Sequence, residues 1–540
     1  MPRFAAIDVG SNAMRLAIVE ATPAVGSRPP APTIARREVL STRASVRLGQ
    51  EVFVTGRLAA SSIGDACAAL KEFREAMDTA KVDSYRATAT SAVREAHNRS
   101  TLVERAQREA GIELEIIEGV EEARLIQLAV TRRLGLEGKR ALLVDVGGGS
   151  TELTDLDGGH ARFSMSLPIG TVRLLEMYLR GVDVVDSARQ KLLREGVDRA
   201  LKEALPHLRK TAFDLIVGTG GTIETLADLV PVAGGFGGYP RAVDVAPARA
   251  LLDELFSMTP DERRAAYGLR PDRADTIVTA APIFLRVAER FKATAIVAAG
   301  AGLKDGILEE LIDKHFDTWD REGAARDVLD ACVRLGRRYG FDERHGALVA
   351  KLAAQLFDAT AQVHGLGDRD RLLLRAAAQL HDIGDYVRYD GHHKHSYYLI
   401  SHSDIMGLPP ADRAIVANVA RYHRKSPPDT AHANFRELDK GARAKVRSLA
   451  AILRIADALD REHLSKVEDV SAHVDGGKLV LTISGDEDRE LEEWTVRAKS
   501  DLLRDVLALD VSIASSTART SVRSEALAAA RKSSPPSGER

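Results

Sequence analysis

The sequence predicts an α/β region over about the first 310 residues, then an all-helical region, then a small α+β segment. Three observations carry this. Six short apolar runs, several ending in glycine, alternate with amphipathic stretches in the first region. One strand-turn-strand unit occurs twice there, 137 residues apart. Beyond about residue 320 the apolar residues recur at three- and four-residue intervals instead.

The strand-like runs are "FAAIDV" (4–9), "SYRATAT" (84–90), "IELEII" (112–117), "ALLVDV" (141–146), "FDLIVGTG" (213–220) and "ATAIVAAG" (293–300). An amphipathic run, "LAASSIGDACAALKEFREAM" (58–77), lies between the first two, as α/β patterning requires. The Pro-rich stretch 21–33 reads as a surface loop between two strands. In the repeat, "FAAIDVGSNAMRLAIVE" aligns with "ALLVDVGGGSTELTDLD", placing Asp8 on Asp145 and Gly10 on Gly147. Two copies about one domain apart predict two similar domains facing each other across a cleft. The later helical stretches are "RDVLDACVRLGRRYG", "ERHGALVAKLAAQLFDATAQVHG", "DRLLLRAAAQLHDIGD" and "RAKVRSLAAILRIADALDREH". "GGKLVLTISGD" (476–486) then reads as a strand and "WTVRAKSDLLRDVLALD" (494–510) as a helix. The expected divisions are 1–125, 126–312, 320–475 and 476–514. A Ser-, Ala- and Arg-rich tail, 515–540, is expected to be disordered.

Composition sets limits. The 540 residues are too many for one core. Lys and Arg number 76 against 78 Asp and Glu, so no global field draws in a polyanion, and any basic surface is local. Cys67 and Cys332 are the only cysteines, which excludes a disulfide framework and a cysteine-built zinc site and fits a reducing cytosol. No signal peptide is visible, and no apolar stretch approaches the ~20 residues of a membrane span. The expectation is a cytoplasmic protein with no membrane and no nucleic-acid partner.

The stretch "LLVDVGGGSTELTDL" (142–156) carries chemistry. Gly147, Gly148 and Gly149 let backbone amides approach an anion without Cβ interference, and Ser150 adds a hydroxyl donor. The flanking Asp145 and Glu152 would repel a bare phosphate, so they imply a cation between them. Mg²⁺, which takes carboxylate and phosphate oxygens, is the natural one. The turn at Asp8, Gly10, Ser11 and Asn12 would face it from the other domain. "GTGGTIETLA" (218–227) opens a helix at Gly220 and Gly221, and a helix N-terminus favours anions. "AGAGLKDG" (299–306) is a fourth glycine-rich turn and carries Lys304. In "EIIEGVEEARLI" (115–126), Glu121 and Glu122 fall in the first turn of a helix. There the spacing fits capping and catalysis equally well.

Together, "IDVGSNAMRL", "GVEEARLI", "LLVDVGGGSTEL", "GTGGTIETLA" and "AGLKDGIL" resemble the exopolyphosphatase / guanosine-pentaphosphate phosphohydrolase (Ppx/GppA) family, in the right order over residues 1–310. The resemblance implies the duplicated actin-like, sugar-kinase-like ATPase fold, made of two ribonuclease-H-like domains. It implies exohydrolysis of a terminal phosphoryl group with Mg²⁺. Carried over by position, Glu122 matches the general base, and Asp145 and Glu152 the metal carboxylates. Gly147, Gly148, Gly149 and Ser150 match the phosphate loop, and Asp8, Gly10, Ser11 and Asn12 the first phosphate turn. Arg94 matches an arginine that contacts the anionic substrate. Ala13 departs from the usual Ser or Thr, "LKDG" replaces "LREG", and 21–33 looks like an insertion.

A second resemblance, to HD-type metal phosphohydrolases, covers about residues 320–475. Ten of the 15 histidines lie between His345 and His463. His345, the pair His381–Asp382 and Asp457 match the H…HD…D pattern and could hold a second divalent metal. "GHHKHSYYLI" and "RYHRK" supply His392, His393, Lys394, His395, Arg421, His423, Arg424 and Lys425, a set that could line a channel for a long polyanion. The leading expectation is an exopolyphosphatase acting on inorganic polyphosphate. The alternatives are a pppGpp 5′-phosphohydrolase, a nucleotide-dependent kinase or chaperone of the same superfold, and a non-catalytic polyphosphate or alarmone sensor. A homodimer is implied by the resemblance alone.

Overall fold

Strand β1 (Arg3–Val9) is buried along nearly its whole length because it is central: it pairs antiparallel with β2 (Met14–Pro23) and parallel with β4 (Ser84–Ala89). With β3 (Ile34–Ala44) and β5 (Leu114–Ile116) they form a five-stranded sheet in the order β3-β2-β1-β4-β5. The second sheet contains β6 (Arg140–Val146), β7 (Thr151–Asp157), β8 (His160–Leu167), β9 (Leu215–Thr219), β10 (Ala242–Asp244) and β11 (Ala295–Ala298). Its order is β10-β11-β9-β6-β7-β8. The run β8-β7-β6-β9-β11 therefore reproduces the first sheet, so the repeat in the sequence is a repeat in the fold. The result is an α/β architecture with two related sheets. The structure is a computed structural model that describes residues 1–23, 34–208, 212–318, 321–485 and 488–514.

Each sheet has its own apolar core. Ile7, Leu16, Ile18, Leu70 and Phe73 belong to the first, and Leu142, Val144, Leu153, Ile223 and Phe284 to the second. The helix Leu303–Phe316 returns to pack on β1 and on the helix Gly119–Leu134. Contact there is close enough that a Cβ on Gly306 would lie 1.9 Å from the Leu125 carbonyl oxygen.

The chain divides into two compact units, Met1–Arg321 and Glu322–Arg540. The expected division at 125/126 runs through the helix Gly119–Leu134. The second unit is helical over most of the expected range, with main helices Glu343–Ala359, Asp368–Leu380, His392–Ser401, Pro410–Arg421 and Lys440–Ala458. The region is not all-helical to residue 475, however. β12 (Val467–Asp475) is a strand, pairing antiparallel with β13 (Lys478–Gly485), which pairs parallel with β14 (Asp510–Ile513). β12 was hidden because only Val467 and Val470 of its nine residues are buried, so it shows no alternation. The helix expected over 494–510 is two helices, Glu490–Lys499 and Asp501–Leu507, separated at Ser500. Most of the Pro-rich stretch, 24–33, and the tail 515–540 lie outside the described residues. Among the described residues no helix is long and apolar enough to cross a membrane.

Candidate metal and phosphate site

The repeated turns set the geometry. β1 and β2 pair Asp8 with Arg15, while β6 and β7 pair Asp145 with Glu152. Directly opposed residues of antiparallel strands share a face. In the first copy that face carries an ion pair, Arg15 Nη1 donating to Asp8 Oδ2 at 2.9 Å. In the second it carries two carboxylates. Glu122 joins them from the first turn of Gly119–Leu134, and one oxygen from each of Glu122, Asp145 and Glu152 lies within 4.8 Å of the others. All three are buried, at 6%, 8% and 1% exposure. The Thr219 hydroxyl donates to Asp145 Oδ1, and Ser166 Oγ donates to Glu152 Oε1 at 2.7 Å. Glu122 Oε2 and Glu152 Oε2 have no hydrogen-bond partner among the described residues.

The electrostatics follow from crowding. Burial pushes the Asp145 carboxyl up to about 6, with Asp8 adding to the rise and the Thr219 hydroxyl opposing it. Burial, then the charge of Asp145, pushes Glu152 up to about 7. Burial and the charge of Glu152 hold Glu122 well above the ordinary carboxylate range, against the nearby Arg94. Arg94 Nη1 lies 3.7 Å from Glu122 Oε2 and donates to the Ile117 carbonyl at 2.7 Å. Three buried carboxylates, two with orphaned oxygens, form an all-oxygen donor set that fits a hard divalent cation.

Glu121, the neighbour of Glu122, has a different environment. It accepts from Arg124 Nε at 2.7 Å and from Arg86 Nη2 at 3.3 Å, and both arginines also reach Glu310. Glu121 thus belongs to a structural ion-pair network, while Glu122 joins the carboxylate cluster.

The two phosphate-type turns abut. A Cβ on Gly148 would lie 2.7 Å from Ser11 Cβ and 3.2 Å from the Asn12 amide nitrogen. One on Gly149 would lie 2.2 Å from Phe53 Cζ. Close approach to the Ser11–Asn12 turn requires glycine at Gly148, while a Cβ at Gly149 would displace the Phe53 ring. The carbonyls of Gly147 and Gly148 accept from the Thr171, Val172 and Arg173 amides, and Arg173 Nε donates to the Gly149 carbonyl at 2.6 Å. With its oxygens engaged there, the turn is held in one conformation. Ser11 Oγ and Ser91 Oγ share a hydrogen bond at 2.9 Å, and Asn12 Oδ1 is buried without a partner. Gly220, at φ +94°, turns the chain from β9 into the helix Gly221–Leu229, and a Cβ there would meet the Val146 carbonyl oxygen at 2.8 Å. Gly221 packs under the Arg273 guanidinium, which donates to Thr222 Oγ1 at 2.5 Å. Lys304 pairs with Asp305 at 3.0 Å.

The residues the sequence reading missed are Arg15, Ser166, Arg173 and Thr219. Ser166 had a signal. "DLDGGHA" is a hairpin with Gly158 and Gly159 both at positive φ, which pairs β7 with β8 and so Glu152 with Ser166. Arg173 had none, because its contacts come from the fold.

The helical unit brings His345, His381, Asp382 and Asp457 together. His345 Nε2 is 3.2 Å from His381 Nε2, 3.7 Å from Asp382 Oδ2 and 3.8 Å from Asp457 Oδ1. His381 Nε2 is 3.4 Å and 3.5 Å from the same two oxygens. His463 stacks on His345 at 3.6 Å between ring centroids. The residues expected to line a channel separate. His393, Lys394, Arg421 and Arg424 line a cavity of about 180 Å³ with Tyr422, Ser426 and His432. His395 is not among that lining, and His423 is buried beside Asp382 instead. The cavity is electropositive: burial, then the charges of His392, Arg424, Arg421 and Lys394, push His393 down to about 4.

Comparisons with known proteins agree with this architecture. The sequence profile of the Ppx/GppA phosphatase family matches residues 34–315, and that of Ppx/GppA phosphatase domain III matches residues 330–508. The guanosine-5'-triphosphate,3'-diphosphate pyrophosphatase of Vibrio campbellii is 26% identical over 484 residues, covering 89% of this chain and 92% of that one. Among solved structures, an exopolyphosphatase from Cytophaga hutchinsonii aligns with a TM-score of 0.52 at 26% identity, covering 58% of this chain and 98% of the other. A Ppx/GppA family member from Aquifex aeolicus is 31% identical over the same shares, with a TM-score of 0.48. The helical unit is thereby matched as domain III of these phosphatases. The first profile alone spans more than half of the sequence, and the chain belongs to the Ppx/GppA phosphatase family.

Proposed function

We propose that this chain is a phosphoanhydride hydrolase that removes the terminal phosphoryl group of inorganic polyphosphate with the help of Mg²⁺, releasing orthophosphate. The observation that carries the reading is the convergence of buried Glu122, Asp145 and Glu152 beside two abutting glycine turns. Asp145 and Glu152 are the residues that would hold the ion. When bound, Mg²⁺ supplies positive charge to the terminal phosphoryl group and to the departing oxygen. The chain's own groups do the rest. The amides of Gly148 and Gly149 and the Ser11 and Ser150 hydroxyls bind and orient the terminal phosphoryl group. Arg94, a guanidinium suited to paired phosphate oxygens, stabilises charge on the equatorial oxygens. Glu122, a buried carboxylate held well above the ordinary range by burial and the charge of Glu152 and keeping one orphaned oxygen, accepts the proton of the attacking water. The electropositive cavity of the helical unit is a further place where phosphates would bind.

A second reading is pppGpp, cleaved at its 5′ end. It is favoured by the relative that matches most of the length of both chains, named a guanosine-5'-triphosphate,3'-diphosphate pyrophosphatase. Phosphate release from long-chain polyphosphate and from pppGpp, measured side by side with and without Mg²⁺, decides between them. The leading reading expects Mg²⁺-dependent release with higher kcat/KM on polyphosphate. Higher kcat/KM on pppGpp transfers the assignment, and no release from either substrate removes both.

A further inference from the structure

One side chain outside the carboxylate cluster touches three parts of the site. Arg173, buried at 8% exposure, lies in the first turn of the helix Thr171–Tyr178, which follows β8. Its Nε donates to the carbonyl of Gly149, in the second phosphate-type turn, at 2.6 Å. Its Nη2 donates to Glu95 Oε1 at 2.5 Å. Glu95 is the residue after Arg94 in the helix Ser91–Glu95, which follows β4. The guanidinium carbon lies 4.0 Å from the centroid of the Phe53 ring. Phe53 in turn packs beside the first phosphate-type turn. A Cβ on Gly49 would lie 2.8 Å from Phe53 Cε2 and 3.0 Å from Ser11 Cβ, and the Gly49 amide donates to the Ser11 carbonyl at 2.8 Å.

The bonds to the turn's carbonyls decide where its amides point. In a planar trans peptide the carbonyl of one residue and the amide of the next face opposite ways. The Thr171 amide binds the Gly147 carbonyl, and the Val172 and Arg173 amides bind that of Gly148, so the Gly148 and Gly149 amides are aimed away from the helix. The Gly149 carbonyl is held by the Arg173 side chain, which aims the Ser150 amide. Without that bond the Gly149–Ser150 peptide is free to rotate and present an oxygen to an anion. The other arm of Arg173 has little to do with stability. The Glu95 side chain is 42% exposed, and an ion pair with one partner so exposed contributes at most about 1 kcal/mol. What the pair does is join a helix that follows a strand of the first sheet to a helix that follows a strand of the second. A planar guanidinium can donate in two directions while lying on an aromatic ring, which an ammonium cannot.

We propose that Arg173 is a positioning residue of the phosphoryl site: it aims the Ser150 amide and, through Glu95, keeps the helix that carries Arg94 in register with the glycine turn. This rests on the reading of the site as a phosphoryl-transfer centre. Arg173 acts through these groups and not by touching the substrate. Its removal lets the amides on one half of the site and the guanidinium of Arg94 on the other move apart. Misplacement of that kind weakens binding of the transition state more than binding of the substrate, so it lowers kcat more than it raises KM.

The test compares the full chain with Arg173→Met, Arg173→Lys, Glu95→Gln and the double variant Arg173→Met/Glu95→Gln. Phosphate release is measured on long-chain polyphosphate and on pppGpp with Mg²⁺. Arg173→Met should lower kcat by about 10- to 100-fold with KM within about threefold. Arg173→Lys should recover only a small part of this, because its ammonium lacks the planar fork. Glu95→Gln should lose kcat by a smaller factor at an unchanged melting temperature, and the double variant should be no worse than Arg173→Met alone. A kcat within about twofold of the parent in Arg173→Met, full recovery in Arg173→Lys, or additive losses in the double variant overturns the proposal. Hydrogen exchange followed by mass spectrometry supplies a readout that needs no turnover. In Glu95→Gln, a half-exposed substitution that spares the core, amides of segments 147–151 and 171–174 should exchange at least about threefold faster. Unchanged exchange there overturns the proposal even if Arg173→Met fails to fold. If the parent releases no phosphate from either substrate, the reading of the site fails, and the exchange result alone still decides whether Glu95 and Arg173 hold the turn.

Discussion

Glu121 and Glu122 occupy adjacent positions in one helical turn, yet their surroundings give them opposite duties. Glu121 is anchored by Arg86 and Arg124. Glu122 keeps a bare oxygen beside two further carboxylates. Their substitutions should therefore separate. Glu122→Gln should lower kcat by about 10²–10⁴, the usual worth of a positioned base, with KM changed little. Glu121→Gln should leave kcat within a few-fold but cost about 1–3 kcal/mol of stability through the weakened arginine network. Phosphate-release kinetics and urea unfolding of the two variants check this. Equal kinetic losses in both would remove the assignment of Glu122. The sequence could not separate the two, because a carboxylate in a first turn is favourable to the helix dipole whatever else it does. What distinguishes them is which tertiary partner each one meets, and Glu310, Glu152 and Asp145 are remote in sequence.

At the scale of elements, the site depends on how the helix Gly119–Leu134 is seated. Its entry rests on β8, where a Cβ on Gly119 would lie 2.6 Å from Ser166 Cβ, and its flank rests on Leu303–Phe316 through Gly306. Gly306→Ala would put a methyl group 1.9 Å from the Leu125 carbonyl oxygen, so the two helices must part. The expected cost is about 1–3 kcal/mol, as for overpacking, with a fall in kcat because the helix carries Glu122. Gly302→Ala, at the N-cap of the same helix with nothing within 4 Å of its Cβ, should cost no more than about 1 kcal/mol, the N-cap preference for Gly over Ala, and leave kcat unchanged. Thermal melts and kinetics of the pair provide the check; similar melting temperatures would show that the packing yields. The elements that bear the site were legible where burial is two-sided. β1 and β6 are apolar runs ending in the repeated Asp8 and Asp145 turns, and a central strand cannot avoid that pattern. Edge strands were not legible. β3 is exposed over most of its length, and β12 shows no alternation, so neither leaves a periodic trace.

Across the whole molecule, two clusters of different donor chemistry lie in two separate units: oxygen-only in the first, imidazole-rich in the second. That difference lets Mg²⁺ probe the first one selectively, because imidazole is a poor ligand for it. Without an ion, the folded chain raises Asp145 from 3.8 to about 6 and Glu152 from 4.5 to about 7. The folded state then holds protons that the unfolded chain has already lost. Its stability contribution from these groups is intact below the ordinary carboxylate values and is lost as pH rises through about 6 and 7. Mg²⁺ requires the ionised carboxylates, so it competes with those protons at low pH and relieves the repulsion at high pH. At 100 times its dissociation constant a ligand stabilises by about 2.7 kcal/mol, which is several degrees in Tm for a domain of this size. The melting temperature of the first unit should therefore rise by several degrees with saturating Mg²⁺ at pH 8 and hardly at all at pH 5, the change falling between about 6 and 7. In the Asp145→Asn/Glu152→Gln variant both the Mg²⁺ shift and its pH dependence should vanish. A shift of equal size at pH 5 and pH 8, or one that survives in that variant, would place the ion on other ligands.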